Sequence, residues 1–204
     1  MHNLSNAFDR ASAILFDWDG TLVDSHAAHY RSLCDALSPE GITVDYGWYT
    51  SSPGMSTRQE IDWLAEDQGV LLATPTDELV ARCDAGYLEH LDLVREITWV
   101  ADLARDRHGS KPLAVASNST AGIITETMNH VGLAGLFCAV VSLDDVSAGK
   151  PAPDLFLLAA ERLGVPATRC LVLEDSDAGI EAAGRAGAEV VDIRTVRLLA
   201  DSHR

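Results

Sequence analysis

Four short apolar runs, each leading into a polar cluster, constrain this chain more than any other feature. Ala13-Ile14-Leu15-Phe16 runs into Asp17-Trp18-Asp19-Gly20-Thr21, and Leu113-Ala114-Val115-Ala116 into Ser117-Asn118-Ser119. The run around Ala139-Val140-Val141 is closed by Gly149-Lys150-Pro151, and Cys170-Leu171-Val172-Leu173 leads into Glu174-Asp175-Ser176-Asp177-Ala178-Gly179. From about Ile97 onward, strand-like and helix-like stretches alternate, which implies βαβ units and a parallel sheet. In an open parallel sheet, ligands bind in the crevice beyond the carboxyl ends of the strands. The four polar clusters therefore have a common place to meet.

The expected strands lie near residues 13–17, 112–117, 139–142, 170–174 and 189–193, with helices near 121–131, 153–163 and 177–186. Between the first strand and residue 95 the pattern is helical and carries no strand signal. One helix is expected from Ser25 to Leu37, stopped by Ser38-Pro39-Glu40-Gly41. A second, after Pro53-Gly54, spans Thr57 to Asp67 with Ile61, Leu64 and Ala65 at helical spacing. A third runs from Thr76 to about Leu93, with Thr76 as cap and Asp77 and Glu78 in its first turn. The expected architecture is α/β: a Rossmann-like parallel sheet core from residues 1–23 and 96–204, with an inserted α-helical cap domain at 24–95.

The first cluster carries the sharpest chemistry. On an extended strand, residues i and i+2 share a side, so Asp17 and Asp19 face one site while Trp18 faces away. Two carboxylates about 4 Å apart repel by roughly 4 kcal/mol at an effective dielectric near 20. Such a pair persists if one is protonated or if a cation sits between them. Gly20 lets the backbone leave the strand sharply and approach a ligand. Taken alone, the pair also reads as a solvated strand end, and Glu174-Asp175 also reads as a helix N-cap with acids favoured by the dipole.

Composition narrows the partners. The net charge of −16 leaves no basic stripe for nucleic acid. No run approaches 18 apolar residues, so no membrane span is expected. Cys34, Cys83, Cys138 and Cys170 are scattered without a CxxC pair, which fits a reduced, cytoplasmic protein with buried thiols. The first dozen residues are polar and lack a basic segment followed by an apolar one, so no signal peptide is expected. Trp18, Trp48, Trp63 and Trp99 read as packing.

Asp17-x-Asp19-Gly20-Thr21, Ser117-Asn118, Lys150 and Glu174-Asp175, in that order and spacing, resemble the four motifs of the haloacid dehalogenase superfamily of phosphohydrolases. Gly149-Lys150-Pro151-Ala152-Pro153-Asp154 with Glu174-Asp175-Ser176-x-x-Gly179 is similar to the subgroup of beta-phosphoglucomutase and small sugar-phosphate phosphatases. The resemblance implies that Asp17 is a nucleophile forming an aspartyl-phosphate, and that Asp19 protonates the leaving oxygen and then deprotonates water. To serve first as an acid, Asp19 is expected to have its pKa raised by neighbouring carboxylates. Mg²⁺ is implied, held by Asp17, the Asp19 carbonyl, Asp175 and Glu174. Thr21, Ser117, Asn118 and Lys150 are implied phosphate contacts. Lys occurs only at 111 and 150, which makes the placement of Lys150 informative, although a lysine in a Gly-Pro turn also reads as a surface residue.

For the cap, Arg58 resembles the arginine that subgroup members bring onto substrate, set against a helix-surface arginine. His29 falls where beta-phosphoglucomutase carries a histidine assisting proton handling, set against a solvent-facing histidine, with His26 close by. Asp24 is expected to cap a helix or orient the hinge. The resemblance implies a Mg²⁺-dependent phosphatase of a small phosphorylated metabolite, of the fructose 1-phosphate or 6-phosphogluconate type, acting as a monomer or weak dimer. A phosphosugar mutase is the alternative, disfavoured by Thr21 and by the lack of lysine between residues 24 and 95. A non-catalytic phosphate-binding protein is the third reading.

Overall fold

The computed structural model describes residues 2–51 and 55–196. Five parallel strands form the central sheet: β1 (Ala13–Phe16), β4 (Leu113–Ala116), β5 (Ala139–Val141), β6 (Cys170–Glu174) and β7 (Glu189–Asp192), in the order β5-β4-β1-β6-β7. β1 sits at the centre, with Phe16 opposite Val115 on one side and Leu173 on the other. The chain moves outward from β1 in both directions, so β1 lies at the topological switch point where such sheets open a crevice.

Both faces of the sheet are covered, which is why the inner strands β1, β4 and β6 are buried along their length and read as apolar runs, while the edge strand β7 does not. Ile14 and Phe16 point to one face, packing with Val100 and Ala104 of α6 (Thr98–Arg107) and Ile123 and Ile124 of α7 (Ala121–His130). Ala13 and Leu15 point to the other, against Leu155 and Phe156 of α8 (Asp154–Arg162) and Ala182 and Ala183 of α9 (Asp177–Arg185). Every residue of β1 is fully buried. Each large apolar side chain so placed contributes about 1.5–3 kcal/mol from burial alone.

The five strands and helices α7, α8 and α9 fall where periodicity places them, to within a residue or two at each end, whereas α6 (Thr98–Arg107) lies in a stretch where no helix is expected. α1 (His2–Arg10) likewise lies in a stretch read as merely polar. Its few apolar positions suffice, because Ala7 and Phe8 are buried in the core.

Between β2 (Val23–Asp24) and β3 (Arg95–Glu96) the chain is helical, as expected. α2 (His26–Leu37), α3 (Tyr46–Ser51), α4 (Thr57–Asp67) and α5 (Thr76–Glu89) enclose an apolar cluster of their own, including Leu33, Leu37, Ile61, Leu64 and Leu79. Several readings of this stretch need correction. α3 falls where no helix is expected, and Thr76 is the first helical residue of α5, the cap position falling to Pro75. β2 and β3 pair antiparallel, Val23 with Glu96 and Asp24 with Arg95, where no strand signal was legible. The last helix stops at Glu89 and gives way to a tight turn at Leu91–Leu93 instead of continuing to residue 93. α4 begins with a capping box between Ser56 and Gln59; Pro53 and Gly54 before it lie outside the described residues.

Candidate active site

The carboxyl ends of β1, β4 and β6 and the loop beyond β5 deliver their polar residues to one cavity of about 160 Å³. Asp17 continues β1, its N–H donating to the Leu173 carbonyl at 3.0 Å, and Ser117 continues β4 by donating to the Val141 carbonyl at 3.0 Å. Asp17, Asp19, Ser117, Asn118, Lys150, Glu174 and Asp175 line the cavity together.

On one side, Lys150 Nζ donates to Asp17 Oδ1 at 2.5 Å and to Glu174 Oε2 at 2.7 Å, all three groups being buried. Asn118 holds the lysine backbone in place: its Oδ1 accepts from Lys150 N at 2.9 Å. Glu174 Oε1 in turn accepts from Asp175 N, Ser176 N and Ser176 Oγ at 2.9–3.0 Å. Burial would push the ammonium of Lys150 down, but Asp17 and Glu174 outweigh it and hold the charge firmly. Burial and the Glu174 charge lift Asp17 well above the usual carboxylate range despite Lys150, and the same two causes lift Asp175 to about 6. Three carboxylates around one ammonium leave a surplus of negative charge, which adds to burial in raising Asp17 and Asp175.

A divalent cation fits this surplus. Asp17, Glu174 and Asp175 each offer a carboxylate oxygen, all within 4.8 Å of one another. A set of hard oxygen donors is the chemistry that Mg²⁺ selects. Two glycines make the close approach possible. Gly20 has φ +85°, and a Cβ there would overlap the Asp175 carboxylate; a Cβ on Gly179 would overlap that of Glu174.

On the other side, Asp19 faces a different shell. Its Oδ1 accepts from Ser25 Oγ at 2.6 Å and lies 3.2 Å from His29 Nε2, while Oδ2 accepts from Ser119 Oγ at 2.6 Å and Ser117 Oγ at 3.5 Å. The expected raised pKa of Asp19 is overturned. Burial does push it up, but the His29 charge and hydrogen bond, with those of Ser119 and Ser25, prevail and bring it to about 2. His29 moves the opposite way, its burial overcome by Asp19, so the proton of the pair rests on the imidazole.

Other expectations shift too. Thr21 does not line the cavity: it is fully buried, and its hydroxyl donates to Asp175 Oδ1 at 3.1 Å. That hydroxyl engages Asp175 and not the cavity where it is expected to meet phosphate. Arg58 is absent from the cavity wall; it lines an adjoining recess and its guanidinium pairs with Asp77. Asp24 does line the cavity, but the cap position of the helix after it, α2, falls to Ser25. Ser25, Ser119 and Glu60 are site residues the sequence reading left out. The hydroxyls gave only a weak signal, whereas Glu60 borders the apolar stripe Ile61-Leu64-Ala65 of α4, where a carboxylate is out of place. All four cysteines are free thiols, but only Cys83 and Cys170 are buried as expected; Cys34 is partly buried and Cys138 is exposed. No helix among the described residues is long and apolar enough to cross a membrane.

Residues 11–187 match the haloacid dehalogenase-like hydrolase family. Fructose-1-phosphate phosphatase YqaB of Escherichia coli (strain K12) is 35% identical over 192 residues, covering 92% of this chain and 98% of that one. Among solved structures, CbbY from Rhodobacter sphaeroides in complex with phosphate superposes with a TM-score of 0.80 at 24% identity, covering 88% of this chain and 84% of that one. Beta-phosphoglucomutase from Clostridium difficile gives a TM-score of 0.79 at 22% identity, covering 88% and 83%. These two structural likenesses speak for the fold.

Proposed function

The chain belongs to the haloacid dehalogenase-like hydrolases and is a phosphatase of that family; from this we propose that it hydrolyses a small sugar phosphate through a phosphorylated Asp17. The observation that carries the reading is the division of the acids into two sets: Asp17 with Glu174, Asp175 and Lys150, and Asp19 with His29 and serine hydroxyls. One set suits attack on phosphorus, the other suits proton transfer.

In the first step an Asp17 carboxylate oxygen attacks phosphorus, the phosphorus–oxygen ester bond breaks, and the leaving oxygen takes a proton from Asp19. An acid with a pKa near 2 stores no proton at neutral pH, so the proton comes to Asp19 from the imidazolium of His29, 3.2 Å away. In the second step water attacks phosphorus, Asp19 accepts its proton, and phosphate leaves Asp17. Lys150, fixed by Asn118, and the Ser117 hydroxyl face the transferring group as its positive and neutral contacts. Mg²⁺, held by Asp17, Glu174, Asp175 and the Asp19 carbonyl, would cancel repulsion between the anionic nucleophile and the anionic phosphate. Residues 24–95 act as a cap on a core of 1–23 and 96–204: His26, His29, Tyr49 and Glu60 from this segment form the wall opposite the strand ends. The working environment is cytoplasmic, in keeping with four free thiols.

A screen over sugar and small-metabolite phosphates, with Mg²⁺ and with EDTA, tests this. Metal-dependent phosphate release that Asp17→Asn abolishes is expected. Release that persists in Asp17→Asn, or none from any substrate with any divalent metal, sinks the mechanism.

A further inference from the structure

The chemistry fixes which end of a substrate faces the strand ends, so the remaining wall must read the rest of the molecule. That wall is poor in usable positive charge. Lys150 is the one Lys or Arg among the described residues lining the cavity, and Asp17 and Glu174 already engage it. His29 is engaged by Asp19, and burial lowers the pKa of His26 toward the neutral form. Arg58, in the adjoining recess, is paired with Asp77 and shares that recess with Asp84 and Asp144. Facing the same space are Asp24 and Glu60.

Glu60 stands apart from Asp84 and Asp144 by its lack of a donor, and from the exposed Asp24 by its partial burial. Asp84 accepts from Thr120 Oγ1 at 3.0 Å and Asp144 from Ala121 N at 2.8 Å, so both have local work. The Glu60 carboxylate accepts no hydrogen bond from any described residue, although it is partly buried and lines the cavity. A carboxylate without a hydrogen-bond donor in such a place, with only the His29 charge nearby to favour its ionised form, is costly unless something bound supplies donors. The neighbouring Ser56 and Thr57 add hydroxyls and no charge.

Resting on the phosphatase reading above, we propose that Glu60 determines specificity: it accepts hydrogen bonds from the hydroxyls of a neutral polyol monophosphate and repels substrates carrying a second anion. Sugar acids and bisphosphates would put a negative group against Glu60 and Asp24 with no free cation to receive it. Neutral sugars would satisfy the carboxylate. The burial that leaves Glu60 unpartnered also lifts its pKa to about 7, so at pH 8 the group is ionised.

The test compares kcat/KM at pH 8 with Mg²⁺ for two matched pairs: glucose 6-phosphate against 6-phosphogluconate, and fructose 1-phosphate against fructose 1,6-bisphosphate. The neutral member is expected to lead its pair by roughly 30-fold or more in at least one pair. Glu60→Gln should narrow that ratio by about fivefold or more, and Glu60→Lys should narrow it further. Using a ratio within each variant cancels any general loss of activity, and the isosteric Gln variant serves if the Lys variant does not fold. A wild-type ratio under about tenfold, or a ratio that Glu60→Gln leaves in place, overturns the inference. So does hydrolysis of p-nitrophenyl phosphate with none of the four sugars accepted. No release from any compound would instead defeat the phosphatase reading, and the inference with it.

Discussion

Lys150 is the residue on which the site's electrostatics turn, because among the described residues it is the single cation paired with buried acids. Removing one partner of a buried ion pair leaves an uncompensated charge and costs about 3–5 kcal/mol. Lys150→Met is therefore expected to lower the metal-free unfolding free energy by about 3 kcal/mol in urea titrations with EDTA; a loss under about 1 kcal/mol would show that the acids simply take up protons in its place. His29 gives a second residue-scale prediction. Protonating the leaving group matters for an alkoxide and little for p-nitrophenolate. His29→Asn should lower kcat on a sugar phosphate about 100-fold while p-nitrophenyl phosphate falls less than about fivefold. Equal losses on both substrates would remove His29 from proton delivery. These roles were only half legible in the sequence. The acids were plain, because each follows an apolar run. The direction of the Asp19 pKa was not, because hydroxyls from residues 25 and 119 and an imidazole ten residues on had first to be folded around it.

Elements position these groups through backbone approach. α9 starts directly after Glu174-Asp175, with Ser176 capping it by accepting from Gly179 N at 3.0 Å. Gly179 must lie flat against the Glu174 carboxylate for that to happen. Gly179→Ala is expected to cost about 1–3 kcal/mol by overpacking and to lower activity at least tenfold, because the displaced group is one of the acids proposed to hold the metal. Thermal unfolding together with the Mg²⁺ concentration giving half-maximal rate checks both; unchanged metal dependence would show that Glu174 lies outside the ion's reach. At this scale the sequence was most informative for α4, α8, α9 and the five core strands, whose periodicity and caps are local. It was least informative for β2 and β3. Two residues each, separated by some seventy positions, they pair because the chain has to close the base of the helical segment, and no local pattern records that.

For the whole molecule, the balance of raised and lowered acids sets how stability responds to pH. Asp175 is lifted from an ordinary 3.8 to about 6 and Glu60 from 4.5 to about 7. Each binds its proton more tightly in the folded chain, so its contribution is complete below the unfolded value and disappears as pH rises through the folded one. Asp17 acts in the same sense. Asp19 and Asp145 go the other way, to about 2, and their contributions are present above 3.8 and vanish only as pH falls toward 2. His29, raised above 6.5, keeps its contribution until pH exceeds that value. The window from pH ~4 to ~7 therefore belongs to the raised carboxyls, and a chain of net charge −16 gains further self-repulsion across it. Metal-free protein is expected to lose on the order of 2–3 kcal/mol of unfolding free energy between pH 5 and 7.5. Asp175→Asn should flatten that slope. Mg²⁺ at about 100 times its dissociation constant should restore roughly 2.7 kcal/mol at pH 7.5, and much less at pH 5, where protons compete for the same oxygens. Urea unfolding in EDTA and in Mg²⁺ at the two pH values checks all three. Metal-free stability that is flat or rising across the window would mean that the surplus charge is relieved within the protein, and that the acids around Lys150 have no need of a cation.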